Sequence, residues 1–354
     1  MQKAILVGVN LNENLDFDHS MEELENLAEA CEIEAAAQVV QNLPMVNNAF
    51  YIGTGKVEEV KNLVSMLDAD CVIFDNSLTP SQQRNLQNQL EVPVWDRTNL
   101  ILEIFDRRAR TKEARLQVES ANLQYLLPRL VGMRDALSRQ GGGAGAGGGA
   151  GAGGGLSNKG AGEKKLELDR RRIEKRISEL NRELKEVRQH REITRAKRTR
   201  NGMPVAAIVG YTNAGKSTLL NTLTGAGILA QDKLFATLDP TTRGLKLASG
   251  QEILLTDTVG FIRKLPHHLI EAFKSTLEEA RYSDIVLHVV DASNLQMDTQ
   301  MYVVYDTLRQ LEIGDKTVVT VFNKMDQVEQ PETLKDLHSD YQVQISAKTG
   351  AGLD

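Results

Sequence analysis

The rhythm of apolar and polar positions changes twice along the chain, which divides it into three segments. Over residues 1–106, short apolar runs alternate with longer mixed stretches. Ala4 to Val9 reads as a strand, and Ser20 to about Leu43 as one long helix. Ser20 and Glu23 have the spacing of a capping box, in which hydroxyl and carboxylate satisfy free N–H groups at a helix start. Further strands are expected at 49–52, 71–75 and 93–95, and helices over 57–67 and 81–90. Strands alternating with helices predict an α/β unit with a parallel sheet. Gly53-Thr54-Gly55-Lys56 has the look of a phosphate loop, but Val57 stands where a hydroxyl is required, so a turn entering a helix is the reading.

Residues 107–200 carry a different period. Leu116, Leu123, Leu130 and Leu137 recur every seven residues, with Leu126, Leu127 and Met133 between them. Leu166, Ile173, Leu180 and Val187 repeat the spacing, with Ile177 and Leu184 completing a seam. Heptads of this kind pack two helices along a narrow apolar stripe. At 1.5 Å per residue the pieces would be about 40 and 55 Å long, with Pro128 kinking the first. Gly141 to Gly155 contains only glycine and alanine, so a flexible loop is expected at the tip of a long antiparallel helical hairpin. Arg129, Arg134, Arg139, Lys159, Lys164 and Lys165 fall near that tip.

Residues 201–354 return to buried-strand runs. Residues 205–209 lead into Gly210-Tyr211-Thr212-Asn213-Ala214-Gly215-Lys216-Ser217-Thr218. This is the strand–loop–helix pattern GxxxxGK[ST], which wraps backbone N–H groups around an anion. Lys216 supplies a charge to the β- and γ-phosphates, and the Ser217 hydroxyl can ligate Mg²⁺. Ile253 to Thr256 ends in Asp257-Thr258-Val259-Gly260. There Asp257 can hold Mg²⁺ through water, and the Gly260 N–H can meet the γ-phosphate. Two more apolar strands follow at 285–290 and 318–322. The second ends in Asn323-Lys324-Met325-Asp326, where the Asp326 carboxylate can accept from the N1–H and 2-amino group of guanine. After a short strand at 342–345, Ser346-Ala347-Lys348 can close over the base. All four segments in this order define a guanine-nucleotide site on a mostly parallel sheet.

Between the phosphate loop and Asp257 lies Phe235-Ala236-Thr237-Leu238-Asp239-Pro240-Thr241-Thr242-Arg243. A threonine here would complete Mg²⁺ coordination when a γ-phosphate is present. Thr237 is the choice, with Thr241 and Thr242 as rivals that spacing alone leaves open. The position after Gly260 is Phe261, whose ring cannot orient an attacking water, so hydrolysis is expected to be slow without a partner. His267 and His268 are read as solvated residues rather than a general base.

Composition, 41% hydrophobic and 25% charged, is that of a soluble globular chain. No apolar run reaches the ~20 residues that cross a bilayer. Residues 1–10 lack the parts of a signal peptide, so a cytoplasmic chain is expected. Cys31 and Cys71 are read as buried free thiols. The net charge of −6 conceals −13 over 1–106, +13 over 107–200 and −6 over the remainder. The basic middle suggests a polyanion partner, against the plainer reading of solvated helices laced with ion pairs. Tyr125 is its only aromatic, which favours recognition of RNA by shape and charge over base stacking.

The chain resembles the HflX family of translation-associated GTPases. The matches are GYTNAGKST at 210–218, FATLDPTTR at 235–243, DTVGFIRKLPH at 257–267 and NKMD at 323–326; residues 160–167 resemble a further family segment, with Ala161 where the family has proline. The resemblance covers essentially the whole chain: an N-terminal α/β domain (1–106), a basic helical hairpin (107–200) and a GTPase domain (201–354). It implies GTP hydrolysis stimulated by the ribosome, binding to the large ribosomal subunit and its RNA, and splitting or rescue of stalled ribosomes. Lys216, Thr237 and Gly260 are the expected catalytic groups, and the family's FATLD segment favours Thr237. Asn213 resembles a potassium ligand of related GTPases, which adds K⁺ to Mg²⁺ as an expected ion. A monomer is expected. The alternative function is an ATP-using RNA remodeller, which NKMD argues against. Because a GTPase domain normally continues into a final helix, the end at Asp354 suggests a chain cut short.

Overall fold

The computed structural model describes residues 2–11, 16–140, 157–200, 202–225, 234–235, 238–266, 269, 279–313 and 316–353. For 131–140, 157–165, 190 and 194–200 only the backbone is described. The chain gathers into two compact units: Met1–Ile104 with Glu119–Glu183, and Phe105–Val118 with Leu184–Asp354.

In the first unit, four parallel strands lie in the order β2-β1-β3-β4. They are β1 (Gln2–Asn10), β2 (Ile33–Asn42), β3 (Cys71–Phe74) and β4 (Val94–Asp96). Residues 4–9 of β1 and all of β3 are buried, as befits strands covered on both faces. Ile5, Val7 and Val9 pack with Val57, Val60 and Val64 of α2 (Thr54–Leu67) and Leu86 and Leu90 of α3 (Pro80–Leu90).

The expected long helix is two elements. Helix α1 (Phe17–Ala30) stops at Cys31, Glu32 turns through a left-handed φ of 60°, and Ile33–Asn42 runs as β2 beside β1. The alanines of Glu34-Ala35-Ala36-Ala37 favour a helix locally, and nine residues of parallel pairing with β1 override that preference. Ser20 and Glu23 therefore lie inside α1 and do not cap it. The Ser20 hydroxyl donates to Asp75 (2.8 Å), and Glu23 pairs with buried Arg97, which also reaches Asp75 at 2.8 Å. The real capping box opens α3, where Thr79 accepts from the Gln82 N–H and Gln82 accepts from the Thr79 N–H. Residues 49–52 form only a single bridge, Asn47 to Tyr51, instead of a strand. Gly53 is the N-cap of α2, the turn into a helix that the sequence suggested. Neither cysteine is in a disulfide and both are buried, and burial raises the Cys71 thiol to about 11.

Helix α4 (Arg97–Arg108) leads to α5 (Lys112–Gln140), which contains Pro128, and to α6 (Ser157–Arg200). The glycine-alanine tract lies outside the described residues. Leu116 and Leu180 of the heptads are buried, whereas Leu126 is exposed. Arg176 of α6 clasps Glu119 of α5 through two bonds of 2.6 and 2.8 Å. Arg170, Arg171 and Arg172 pair with Glu174, Glu167 and Asp169 along α6, so much of its described charge is met by acids on the same helix. Arg129 is not a free tip residue. It stacks 3.3 Å over the Tyr125 ring and donates to Gln83, Asp96 and the Leu78 and Tyr125 carbonyls.

The second unit holds a six-stranded sheet, ordered β10-β9-β8-β5-β7-β6. Its strands are β5 (Val205–Gly210), β6 (Thr241–Lys246), β7 (Glu252–Asp257), β8 (Ile285–Asp291), β9 (Thr317–Asn323) and β10 (Tyr341–Gln344), with helices α7 (Lys216–Thr224) and α8 (Met297–Gln310). All pairs are parallel except β6–β7. The chain leaves β5 toward β7 on one side and later reaches β8 on the other. The crevice at the carboxyl end of β5 is thus the topological switch point, where open α/β sheets bind ligands.

Candidate nucleotide site

The loop that leaves β5 depends on two glycines. At Gly210 a Cβ would stand 2.2 Å from the Val289 carbonyl oxygen, and at Gly215, with φ +93°, another would stand 2.2 Å from Asn323 Nδ2. Only a residue without a side chain lets the loop pass this close to β8 and β9 before α7 begins. Lys216, the first residue of α7, is 6% exposed and donates from Nζ to the Tyr211 carbonyl at 2.7 Å. Burial pushes its ammonium down to about 8, partly opposed by Asp257. A cation buried at such a cost is suited to meet an anion there.

The Ser217 hydroxyl donates to an Asp257 carboxylate oxygen at 2.7 Å. Hydroxyl and carboxylate are hard oxygen donors that, with phosphate oxygens and water, fit Mg²⁺. Among the described residues there is no cluster of three or more His, Cys, Asp or Glu for a metal. Thr258 donates to the Ile208 carbonyl (2.7 Å), Val259 is buried, and Gly260 lies against Thr212, where a Cβ would be 2.8 Å from its Cα. Phe261 is buried, and its backbone is laced to the loop: its N–H donates to the Gly210 carbonyl (3.1 Å) and its carbonyl accepts from Thr212 (2.7 Å). The Tyr211 hydroxyl accepts from the Arg263 N–H at 2.8 Å. Asn213, with φ 63°, is exposed at the rim, while Ala214 is buried and Thr218 half-buried.

The segment after the loop is partly described. Phe235 donates its N–H to the Thr212 hydroxyl (2.8 Å) and sets its ring edge-on to Phe105, centroids 4.8 Å apart. Leu238 is buried. Asp239, read in the sequence as part of the nucleotide loop, directs its carboxylate to the backbone of Arg110 and Thr111. Ala236 and Thr237 lie outside the described residues, as do His267 and His268. Thr241 and Thr242 begin β6, and the Thr242 hydroxyl bonds to that of Thr256 (2.9 Å).

The base-recognition end is tied to the phosphate loop by Asn323. Its amide donates to the Ala214 carbonyl and its oxygen accepts from the Ala347 N–H, both at 2.9 Å. Met325 is held by the Ile345 carbonyl (3.1 Å). The Asp326 carboxylate accepts from the Ser346 hydroxyl (2.6 Å), which holds its pKa below the ordinary value, and exposed Lys348 adds to that. Two contributors escaped the sequence reading. Asp291 pairs with Lys324 at 2.6 Å, and Thr222 of α7 donates to the Ala347 carbonyl at 2.8 Å. Asp291 was legible in principle, since it ends β8 as Asp257 ends β7 and sits in register with Asn323.

Phosphate cradle, Ser–Asp pair and base loop at one switch point define a P-loop GTPase domain. The GTPase HflX of Lacrimispora saccharolytica is 57% identical over 353 residues, 100% of this chain and 81% of its own. That of Escherichia coli strain K12 is 39% identical over 355 residues, 99% and 80%. The chain belongs to the HflX family of GTPases. Residues 205–324 match the family described as 50S ribosome-binding GTPase. Residues 18–106 and 108–198 match those described as GTP-binding GTPase N-terminal and GTP-binding GTPase Middle Region. A crystal structure of SsGBP in complex with GDP covers 100% of this chain and 95% of its own, at 26% identity and a TM-score of 0.55. No described helix is long and apolar enough to cross a membrane. None of these likenesses favours the ATP-using alternative.

Proposed function

We propose that this chain binds GTP with Mg²⁺ in the cradle of residues 210–218, hydrolyses it slowly alone, and is stimulated by the large ribosomal subunit, which it splits from its partner or rescues when stalled. The observation that carries the nucleotide reading is the Asn323 side chain, which fastens the phosphate loop to the guanine-selecting loop through Ala214 and Ala347. Lys216 would neutralise the β- and γ-phosphates, and the Gly260 N–H would meet the third phosphate. Ser217 and Thr237 would ligate Mg²⁺, with Asp257 acting through water. Bound Mg²⁺ would supply charge withdrawal from the phosphoryl oxygens, and Lys216 and the loop N–H groups would hold those oxygens in line. Phe235 and Leu238 with 257–260 would flank the phosphates, and 323–326 with 346–348 would surround the base.

Phe261 supports dependence on a partner. It occupies the place from which a side chain would orient water, and it is 2% exposed with its backbone bound to the loop. Asn213 at the exposed rim is the proposed K⁺ ligand. The three sequence segments are proposed as N-terminal, middle and GTPase domains. The net +13 of residues 107–200 supports phosphate contacts with ribosomal RNA. A monomeric, cytoplasmic protein fits this role.

The test is co-sedimentation with separated ribosomal subunits in GDP and in a non-hydrolysable GTP analogue, across a salt series. Pelleting with the large subunit in the analogue, lost as salt rises, is the expected result. Phosphate release measured alongside in K⁺ and Na⁺ should rise on adding large subunits and be greater in K⁺. Full turnover by the chain alone would refute the stimulated mechanism.

A further inference from the structure

Lys324 stands two residues before the carboxylate read as selecting the base, yet its ammonium is held elsewhere. Its Nζ lies 2.6 Å from Asp291 Oδ2, at the end of β8. The pair is largely shielded, with 24% of the Lys324 side chain and 11% of the Asp291 side chain exposed. Asp291 is aimed by its neighbour. Oδ1 accepts from the Ser293 N–H (3.1 Å) and from the Ser293 hydroxyl (2.6 Å), which sets Oδ2 toward the lysine. The backbone repeats the link, because the Ala292 N–H donates to the Asn323 carbonyl at 3.0 Å. Asp291 and Asn323 are in register on β8 and β9, so the sheet itself places the acid beside the lysine. Lys324 takes a left-handed φ of 64°, uncommon for a residue with a side chain, as the N-cap of the 3₁₀ turn Met325–Gln327. That turn carries Asp326, exposed and bound by the Ser346 hydroxyl.

An ammonium on a flexible four-carbon stem is a mobile point charge, and a carboxylate two residues along the chain lies within its reach. Paired with Lys324, Asp326 would have to be uncovered before the N1–H and 2-amino group of guanine could donate to it. Asp291 gives the ammonium a firmer partner. It is aimed by Ser293 and more shielded than exposed Asp326, so solvent and salt screen the attraction less. We propose that Asp291 is a positioning residue for guanine selection: it holds the Lys324 ammonium at the end of β8 and so keeps Asp326 open to the base. The proposal rests on the reading of Asp326 as the group that selects guanine. A brace that merely joined β8 to β9 would serve every nucleotide alike.

The variant that tests this is Asp291→Asn in the full chain, which keeps the side-chain shape and an oxygen for Ser293. Displacement of labelled GDP by unlabelled GDP and by xanthosine diphosphate gives two dissociation constants and their ratio. Xanthine carries a 2-carbonyl where guanine has its amino group. That oxygen would meet the Asp326 carboxylate in the wild type and a released Lys324 ammonium in the variant. GDP should bind about fivefold more weakly, as expected when a freed side chain must be ordered again. The preference for GDP over xanthosine diphosphate should narrow about tenfold, the effect of a hydrogen bond from a charged donor. Adding Lys324→Met removes the ammonium and should return the preference to the wild-type value. Unchanged constants, an equal loss for both nucleotides, or a preference that Lys324→Met does not restore would mean a plain brace and overturn the proposal. A crystal structure of the unmodified chain with GDP is the second measurement, in which Lys324 Nζ should remain on Asp291. Finding it on Asp326 or on the base overturns the proposal whether or not the variant folds. A wild-type chain that retains no labelled GDP would instead sink the nucleotide reading itself, and the proposal with it.

Discussion

Truncating Asn323 to alanine is the sharpest test of how the site is held together. The side chain is 2% exposed and makes two bonds of 2.9 Å, one to the Ala214 carbonyl and one from the Ala347 N–H. Alanine leaves both backbone groups buried without that partner, at about 1–3 kcal/mol each. Allowing for water entering the gap, the loss should be about 2–4 kcal/mol, or roughly 5–12 °C in melting temperature for a unit of this size. Because the chain has two units, one melting temperature is not well defined. Scanning calorimetry with and without GDP resolves this, since the transition that GDP raises belongs to the nucleotide-binding unit. Gly215→Ala supplies a cross-check. Its Cβ would collide with Asn323 Nδ2 at 2.2 Å, and that collision vanishes in the double variant, leaving only the strain of a φ of +93°. The double variant should therefore fall short of additivity by about 1 kcal/mol. A GDP-sensitive transition within 2 °C (about 0.5 kcal/mol) of wild type in Asn323→Ala would refute the stitching role.

Two pH dependences follow from buried groups. Burial lowers the Lys216 ammonium to about 8, and a polyphosphate beside it would raise that value, so binding would take up a proton between the two. GDP affinity should therefore fall by up to about tenfold per pH unit above pH 8, and titration calorimetry that finds constant affinity to pH 9.5 would refute it. His288 on β8 is held near 4 by burial, against its ordinary 6.5, with Asp336 opposing and Lys216 reinforcing the shift. Its folded form stays neutral while the unfolded chain takes a proton below 6.5. Its contribution is whole above pH 6.5 and fades as pH falls toward 4, by about 3 kcal/mol at most. Denaturant titrations should show a weaker acid slope in His288→Leu than in wild type.

What could be read from the sequence follows from how local each signal is. Strands β5, β7 and β9 of the nucleotide-binding sheet were legible because each is an apolar run ending in a chemically marked residue, Gly210, Asp257 or Asn323. Strand β2 was missed because its alanines favour helix and only pairing with β1 makes it a strand. Strand β6 was missed because Thr241-Thr242-Arg243-Gly244 carries no apolar run; its partner β7 and the turn at Gly250 define it. Ser20 and Glu23 had cap spacing, yet the partners that claim them, Asp75 and Arg97, are distant in sequence. Arg129 looked like free positive charge for the same reason, until Tyr125 and Asp96 were found around it. At the site, motif spacing named Asn323 and Ser346 but not what each would hold, and no local pattern announces that Asp239 reaches Thr111.

That last contact bears on how the gene should be divided for biochemistry. Phe105 and Thr111 precede the GTPase sequence by some ninety residues, yet Phe105 meets the Phe235 ring and Thr111 holds Asp239. A fragment begun at residue 201 would carry Phe235 with its ring uncovered and Asp239 with no helix to hold. Rates and affinities measured on such a fragment would describe a loop released from its tether.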